Sequence, residues 1–211
     1  MKSGFVAIIG RPNVGKSTIL NALINQKVSI VTNKAQTTRD NIKGIYEDDE
    51  AQIVFVDTPG IHKPHHELGR IMNQSALAST SGVEAVILVV DVAKPFGDGD
   101  AFLVGELKVD CPLIIVLNKI DLAKIDQVQS LKARYRELYP KAHIIEMSAI
   151  RLFNVDDLLK IIKSHLEEGP RYYPLGSVSD RDESFFIKEL IREQVLMQLR
   201  EEVPHQIAVA V

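Results

Sequence analysis

Apolar residues along this chain occur in two arrangements that alternate with each other. Short continuous apolar runs are typical of strands buried on both faces, and apolar residues at every third or fourth position are typical of helices with one buried face. The runs predict strands at 5–9, 84–91, 112–118 and 143–147, and two more strands joined by a tight acidic turn within 44–57. The helical spacing predicts helices at 17–24, 68–82, 100–108, 125–139 and 155–166, the last with Asn154 as its N-cap.

Strands and helices that alternate in this order predict an α/β domain with a mostly parallel six-stranded sheet, covered by helices on both faces. We assign residues 1–168 to this domain. The stretch 27–43, after the first helix, is mostly polar and shows little periodicity. Because a loop of that length inside a compact domain is usually functional, we expect it to take part in the activity.

The last part of the chain has a different character. Residues 169–182 are predicted to form a linker, 183–202 an amphipathic helix, and 204–211 the start of an apolar strand. The pattern of the helix is explained equally well by packing in a core and by contact with a partner. Its apolar side would carry Leu190, Ile191, Val195, Leu196 and Leu199.

The composition sets limits on the class of protein. The 211 residues are 45% hydrophobic and 25% charged, which is enough for one core and a small appendage. The net charge of −3 gives no electrostatic case for non-specific nucleic-acid binding by the whole chain. The single cysteine, Cys111, lies in an apolar strand-like run and predicts a buried, unreactive thiol in a reducing compartment. The first strand begins at once, no signal peptide is expected, and no apolar run could span a membrane, so we expect a cytoplasmic protein.

The stretch from Gly10 to Ser17 reads Gly-Arg-Pro-Asn-Val-Gly-Lys-Ser and fits the P-loop pattern, between a predicted strand and a predicted helix. Its backbone N–H groups and the helix N-terminus would bind phosphate oxygens. Lys16 would reach the β- and γ-phosphates, and the Ser17 hydroxyl would ligate Mg²⁺. The alternative is an ordinary glycine-rich turn. The nucleotide-binding residues predicted here are Asn13, Val14, Gly15, Lys16, Ser17 and Thr18.

Asp57-Thr58-Pro59-Gly60 follows the apolar strand that ends the 44–57 hairpin. A carboxylate at a strand end, in a chain with a P-loop, indicates a Walker-B aspartate that holds Mg²⁺ opposite Ser17. Gly60 would offer its backbone N–H to the γ-phosphate. The alternative is a strand end closed by an Asp-Thr-Pro-Gly turn without a ligand.

Asn118-Lys119-Ile120-Asp121 leaves the carboxyl end of another predicted strand, where sheets of this kind bind ligands. One carboxylate can accept both the N1–H and N2–H₂ bonds of guanine, whereas adenine would leave the Asp121 charge unpaired. We therefore expect Asp121 to select guanine, and Asn118 and Lys119 to pack the base and brace the P-loop. Ser148-Ala149, after the last strand, would offer a backbone N–H to the guanine O6.

His62, His65 and His66 lie close together at the start of the 61–82 stretch and raise the question of a metal site. Their spacing matches no strong ligand pattern, and acidic and cysteine partners are sparse. A solvated segment explains them better than a metal site does.

Taken together, these motifs resemble those of the translation-factor-related GTPases. Further details resemble the Era-type GTPases within that class, and the resemblance covers the whole chain. The motifs that carry it are Gly10–Ser17, Gln36-Thr37-Thr38-Arg39, Asp57–Gly60, Pro59–Pro64, Asn118–Asp121, Ser148-Ala149, and Asp180, Phe185-Phe186 and Ile191-Arg192-Glu193 near the end.

The resemblance implies a GTP-binding and GTP-hydrolysing switch in small ribosomal subunit assembly. Its partners would be small-subunit ribosomal RNA and the 30S subunit, with peripheral membrane association at the inner face of the cell membrane, and a monomer is expected. Residues 183–211 would be the first helix and strand of a K-homology domain, whose Gly-x-x-Gly loop contacts RNA backbone. No such loop occurs after residue 170, so RNA binding would need the full K-homology domain.

The resemblance also implies residue roles and cofactors, namely GTP or GDP, Mg²⁺ and K⁺. A threonine of the first switch would ligate Mg²⁺: Thr38 is favoured and Thr37 is the alternative. Ile61 stands where a Ras-type catalytic glutamine would be, and related GTPases with an apolar residue there use potassium held by a P-loop asparagine, here Asn13. Intrinsic hydrolysis would then be slow in sodium alone. The implied catalytic residues are Asn13, Lys16, Thr38 and Gly60, and the metal ligands are Ser17, Thr38 and Asp57.

Two other classes of function compete with the switch. A P-loop kinase or metabolic ATPase would prefer ATP, which the stretch Asn118–Asp121 argues against. A mainly structural RNA- or ribosome-binding module would carry out hydrolysis only incidentally, and the presence of Lys16, Ser17 and Asp57 argues against an inactive site.

Overall fold

The computed structural model describes residues 1–32, 41–64, 66–198 and 209. The strands are β1 (Lys2–Gly10), β2 (Ile42–Glu47), β3 (Ala51–Asp57), β4 (Ala85–Asp91), β5 (Leu113–Asn118), β6 (His143–Met147) and β7 (Glu167–Glu168). The helices are α1 (Lys16–Ile24), α2 (Glu67–Ala78), α3 (Asp98–Glu106), α4 (Ile125–Leu138), α5 (Val155–His165) and α6 (Glu183–Gln198), with a 3₁₀ turn at Ile120–Leu122.

The strands form one sheet in the order β2-β3-β1-β4-β5-β6. β2 runs antiparallel to β3, and the other neighbours in this order are parallel, which confirms the predicted mostly parallel α/β sheet. A seventh strand, β7, adds to the six predicted and pairs antiparallel with Lys2 and Ser3 at the start of β1. The sequence did not indicate β7 because two charged residues carry no apolar pattern.

Both faces of the sheet are buried. Along β1, Val6 and Ile8 belong to one apolar cluster, and Ala7 and Ile9 belong to another. The first cluster includes residues of α1 and α5, and the second includes residues of α2, α3 and α4. Continuous apolar runs are needed because each strand has a helix layer on either side.

The chain leaves β1 at the point where the order of the sheet reverses, since β3 lies on one side of β1 and β4 on the other. Ligands of open α/β sheets bind at such a point, beyond the carboxyl ends of the strands. The P-loop follows β1 there, and the segments after β3, β5 and β6 leave the same edge of the sheet. The fold thus gathers motifs that are far apart in the sequence.

Asn154 is the N-cap residue of α5, as predicted, but its backbone is left-handed (φ 61°) and its side chain donates to the Glu146 carbonyl oxygen at 2.8 Å instead of accepting from the first turn of the helix. The prediction that Cys111 is buried in a strand-like run was wrong. It lies in a bend before β5 and is only partly buried, although this burial raises the pKa of its thiol. The predicted strand at 204–211 lies outside the described residues except for position 209.

The segment predicted as a linker lies against the outer edge of the sheet. The Gln52 side chain accepts hydrogen bonds from the backbone N–H groups of Tyr172 and Tyr173 at 2.7 and 3.0 Å. Further along, Ile45 donates its backbone N–H to the Val178 carbonyl oxygen at 3.0 Å, and Ser179 forms a bridge with Gly44 in β2. The contacts of Ile45 and Gly44 cover part of the exposed edge of β2.

α6 also differs from the predicted amphipathic pattern. Leu190 and Ile191 were expected on its buried side but are 44% and 43% exposed, whereas Arg192, Glu193 and Leu196 are buried. The reason is that α6 makes polar contacts with the segment 27–31 as well as packing on apolar residues. Among the described residues, no helix is long and apolar enough to cross a membrane.

Candidate nucleotide-binding site

The loop between β1 and α1 has the backbone conformation that its glycines predict. Gly15 has a φ of 102°, a conformation that favours glycine, and a Cβ atom there would collide with the Asn118 amide. Asn13 also has a positive φ, of 63°, which asparagine tolerates better than most residues. The residues between β1 and α1 therefore form a tight loop in front of a helix N-terminus, as the motif requires.

Lys16 is the buried cation of this loop. Its Nζ donates to the carbonyl oxygens of Gly10 and Arg11, at 3.4 and 3.0 Å. Burial lowers the pKa of Lys16 to about 8, and the nearby Asp57 carboxylate only partly opposes this shift. The amine is therefore held among neutral oxygens, where an anionic phosphate would be a stronger partner.

Arg11, a second cation of the loop, pairs with a residue of α3. The Arg11 guanidinium donates to Asp100 Oδ2 at 2.6 Å, and the same oxygen accepts the Gly97 backbone N–H at 3.0 Å. This ion pair joins the P-loop to the start of α3. Sequence patterns did not indicate this ion pair, because Asp100 was predicted only as a helix residue.

The predicted metal ligands Ser17 and Asp57 meet at the other side of the loop. Oδ2 of Asp57 accepts hydrogen bonds from the hydroxyls of Ser17 at 2.7 Å and Ser29 at 3.0 Å. Asp57 is fully buried, and this burial raises the pKa of its carboxyl group. Its Oδ1 has no hydrogen-bond partner among the described residues.

These donors fit Mg²⁺, which prefers hard oxygen ligands and needs few from the protein. An orphaned buried carboxylate oxygen beside a serine hydroxyl is the kind of site that a divalent cation would complete. We call this group of Ser17, Ser29 and Asp57 the metal corner. The remaining predicted ligand, Thr38, and its alternative Thr37 lie outside the described residues.

Gly60 and Ile61 follow the metal corner along the chain. A Cβ atom on Gly60 would lie 2.7 Å from the backbone of Pro12, so only glycine allows this approach to the P-loop. Ile61 donates its backbone N–H to the Gly10 carbonyl oxygen at 3.0 Å, and its side chain is fully buried in the second apolar cluster. Ile61 is thus a core residue and takes no part in orienting water.

Among the described residues near these histidines, no three His, Cys, Asp or Glu side chains lie close enough together to hold a metal ion. The Nδ1 atom of His62 lies 3.1 Å from the Gly60 carbonyl oxygen, and His65 is outside the described residues. His66 precedes α2.

At the opposite end of the cleft, Asn118 ties three segments together. Its Nδ2 donates to the Val14 carbonyl oxygen at 2.9 Å, and its Oδ1 accepts the Ala149 backbone N–H at 3.1 Å. Lys119 donates to the Asn13 carbonyl oxygen at 2.6 Å and to Asp91 Oδ2 at 2.7 Å. The predicted bracing of the P-loop is therefore present in detail, with Asp91 as an additional partner.

Asp121 lies beside the last predicted segment. Its Oδ1 accepts a hydrogen bond from the Ser148 hydroxyl at 2.5 Å, and the residue is exposed and lines the cleft. This contact holds the carboxylate at the mouth of the cleft. Ser148-Ala149 was predicted to offer a backbone N–H to the guanine O6, and of these two residues Ala149 donates its N–H to Asn118 in this structure.

The four motifs line one cleft of about 770 Å³, a size typical of small-molecule sites. Several of its residues were not predicted from the sequence. Asp91 could have been, because it ends an apolar strand as Asp57 does. Leu122, Ile150 and Arg151 could not, because only their adjacency to a motif indicated a role. The lining residues are Pro12, Asn13, Gly15, Lys16, Ser17, Thr18, Ile30, Val31, Thr32, Gly60, Asp91, Lys94, Asn118, Lys119, Asp121, Leu122, Ala149, Ile150 and Arg151.

Comparison with known proteins agrees with this geometry. Residues 5–119 match the family model described as 50S ribosome-binding GTPase. GTPase Era of Clostridium beijerinckii is 48% identical to the chain over 209 residues, which is 99% of this chain and 70% of that protein. The identity therefore extends past the nucleotide site into α6.

Solved structures give the same result. A crystal structure of Era in complex with MgGDPNP and nucleotides 1506–1542 of 16S ribosomal RNA superimposes with a TM-score of 0.90 at 36% identity, over 97% of this chain and 70% of that one. The same values hold for a variant of Aquifex aeolicus Era bound to GDP·AlF₄⁻. The G-domain of FeoB from Methanococcus jannaschii has a TM-score of 0.57 at 26% identity, over 78% of this chain and 98% of that one. This chain, with its P-loop cleft and C-terminal helix, therefore belongs to the Era family of GTPases.

Proposed function

We propose that the chain hydrolyses GTP as a switch in small ribosomal subunit assembly, and that the bound nucleotide sets the affinity of the protein for small-subunit ribosomal RNA. The observation that carries this proposal is the cleft lined by the P-loop, Gly60 and the Asp121 carboxylate, with Asp57 hydrogen-bonded to Ser17 of that loop. The related Era structure that holds both MgGDPNP and a 16S ribosomal RNA fragment supports the RNA assignment.

The phosphates would bind at Lys16. This amine is buried among backbone carbonyl groups with a pKa of about 8, and phosphate oxygens would replace those neutral acceptors with charged ones. The backbone N–H groups from Asn13 to Thr18 would bind the same phosphates. The P-loop thus binds the charged part of the nucleotide whichever base it carries.

Mg²⁺ would be held by Ser17 and Asp57, with Thr38 as the proposed ligand from the first switch. The ion, when bound, neutralises charge on the β- and γ-phosphate oxygens. Asp57 Oδ1, which has no hydrogen-bond partner among the described residues, would orient a ligand of the ion, and the Ser29 hydroxyl donates to Oδ2 of the same carboxylate. Gly60 follows Asp57 closely enough to offer its N–H to the γ-phosphate.

Hydrolysis would not use the residue after Gly60, because Ile61 is buried in the core. We assign the role of the missing catalytic glutamine to a potassium ion held by Asn13. This residue of the P-loop is exposed and has a left-handed backbone. Single-turnover hydrolysis is expected to be several-fold faster in KCl than in NaCl of equal ionic strength, and Asn13→Ala should remove the difference. Equal rates of the unaltered chain in both salts would rule out this role.

RNA binding is proposed for the complete K-homology domain, of which α6 would be the first helix. The chain has a net charge of −3, so its affinity for RNA is not expected from overall charge. Peripheral membrane association and a monomeric state stay predictions.

The experiment that tests the switch is RNA binding in two nucleotide states. A fluorescent RNA from the 3′ end of small-subunit ribosomal RNA is titrated with this chain and with a chain extended to the length of its relatives, each saturated with GDPNP or GDP. We expect tight binding by the extended chain with GDPNP and at least tenfold weaker binding with GDP. Equal affinities in the two states would contradict the switch and favour a passive RNA-binding module.

A further inference from the structure

Glu193 is a buried carboxylate outside the nucleotide cleft, on α6. The residue is 1% exposed. Its Oε2 lies 2.5 Å from Lys27 Nζ, and its Oε1 accepts the Val31 backbone N–H at 2.9 Å. A buried carboxylate is costly unless it is paired, and both of these partners belong to the segment 27–31 that follows α1. The helix therefore depends on that segment for an essential pairing.

The segment 27–31 is also held from its other side. Asn21 Oδ1 accepts the backbone N–H groups of Val28 and Ser29, both at 2.9 Å, and Asn21 Nδ2 donates to the Ser29 carbonyl oxygen at 2.7 Å. The Ser29 hydroxyl donates to Asp57 at 3.0 Å in the metal corner. Ser29 is 1% exposed, so this contact is shielded from water. One short segment thus joins the metal corner to α6.

α6 and the residues before it contact the chain on both sides of 33–40, the stretch of the sequence that includes Thr37 and Thr38. Before that stretch, Glu193 binds Val31. After it, the Arg181 side chain donates to the Asn41 carbonyl oxygen at 3.2 Å, and Ser179 donates to the Lys43 carbonyl oxygen at 2.6 Å. A movement of either flank would therefore reach the C-terminal segment.

We propose that Glu193 is a positioning residue that couples the metal corner to α6, through Val31, Ser29 and Asp57. The inference rests on the proposed function, in that Asp57 is taken to serve Mg²⁺. It adds a named route by which the state of the nucleotide site reaches the C-terminal helix. Because coupling between two sites is reciprocal, loss of the Glu193 contact weakens Mg²⁺ binding, and Mg²⁺ binding stabilises α6.

The first measurement is the Mg²⁺ concentration that gives half-maximal retention of a fluorescent GDP. Glu193→Gln leaves one acceptor for two donors, so the segment loses at least one of its contacts. We expect the half-maximal Mg²⁺ concentration to rise roughly fivefold in this variant and in Ser29→Ala. Glu183→Gln makes the same change at an exposed position of the same helix and should leave the value unchanged.

A double variant shows whether the two residues act along one route. If they do, Glu193→Gln combined with Ser29→Ala raises the half-maximal Mg²⁺ concentration no further than the larger single change. Multiplied effects would show independent roles and overturn the proposal. Should Glu193→Gln fail to fold, Lys27→Gln removes the same ion pair from the half-exposed lysine side.

Hydrogen exchange distinguishes coupling from a merely structural role. In the unaltered chain with GDP, Mg²⁺ should slow amide exchange in residues 186–198 relative to EDTA, and Ser29→Ala should abolish this difference. An equal Mg²⁺ effect in Ser29→Ala would overturn the proposal. If the unaltered chain hydrolysed no GTP even in saturating Mg²⁺, the proposed function itself would fail, whereas hydrolysis together with an unchanged Mg²⁺ effect in Ser29→Ala would overturn only the coupling through Ser29.

Discussion

At the base end of the cleft, the groups that would recognise guanine are held by hydrogen bonds within the chain, whereas at the phosphate end two buried charges are only partly compensated. Asn118 and Lys119 donate to P-loop carbonyl oxygens, and Asp121 accepts a serine hydroxyl. Burial lowers the pKa of Lys16 and raises the pKa of Asp57, so each is shifted toward its neutral form.

This difference separates specificity from switching. A site whose hydrogen bonds are already made needs little rearrangement when the base binds, so its selectivity is the same for GTP and GDP. A site whose charges lack full partners gains most from the ligand and changes most when the γ-phosphate leaves. On this proposal, the base end of the cleft would select the nucleotide, and the phosphate end would respond to its state.

The largest expected effect is at the base end. Asp121→Asn should lower GTP affinity on the order of a thousandfold and create a preference for xanthosine nucleotides, because the amide no longer accepts both guanine donors. Competition binding with GTP and xanthosine triphosphate measures this change in preference. Unchanged guanine selectivity would show that the base lies elsewhere.

At the phosphate end, Asp57→Asn should lower single-turnover hydrolysis about a hundredfold in saturating Mg²⁺, because the ion loses its charged ligand. Guanine selectivity should stay intact, since the base end does not use Asp57. A variant that also loses its preference for guanine over adenine would show that the two ends are not separable.

A smaller effect is expected at Gly60, where the segment after β3 packs against the P-loop. Gly60→Ala places a Cβ atom 2.7 Å from the Pro12 backbone, so the segment after β3 must move away from the loop. We expect roughly tenfold slower hydrolysis and a loss of about 1–3 kcal/mol in the free energy of unfolding from overpacking. Thermal unfolding and GDP affinity are measured together, and unchanged hydrolysis would place the γ-phosphate away from Gly60.

The smallest effect is a proton taken up on binding. Because the pKa of ligand-free Lys16 is about 8, about half of the molecules carry a neutral amine at that pH. Phosphate charge raises the pKa, so GDP binding at pH 8 should take up as much as about half a proton, and less at pH 6.5. Calorimetry in buffers of different ionisation enthalpy measures it. Asp121→Asn with a xanthosine nucleotide should show the same uptake, and proton release would contradict the assignment.

Much of the fold and the site was predictable from the sequence because the relevant signals are local. The apolar runs and helical spacing identify strands and helices, and the glycines of the P-loop record the steric needs of that loop. The prediction of guanine recognition at Asn118 and Asp121 rests on the chemistry of their own side chains. These predictions need no knowledge of which distant segments meet.

At the site, the contacts that the sequence did not indicate join segments that are distant in the chain. Nothing near Ser29 indicates that it donates to Asp57, and the pairing of Lys119 with Asp91 depends on β4 and β5 being neighbours. The apolar pattern of α6 pointed to Leu190 and Ile191, whereas packing against segment 27–31 buried Glu193.

The sequence by itself thus determined the α/β fold class, the P-loop and the guanine-selective motif, because backbone sterics and side-chain chemistry act between neighbouring residues. Only the tertiary structure decided that Ile61 is a core residue, that Asp57 keeps an orphaned oxygen, and that α6 contacts the segment leading to the metal corner. These features depend on sheet order and on the packing of segments that are distant in the chain, which no local pattern records.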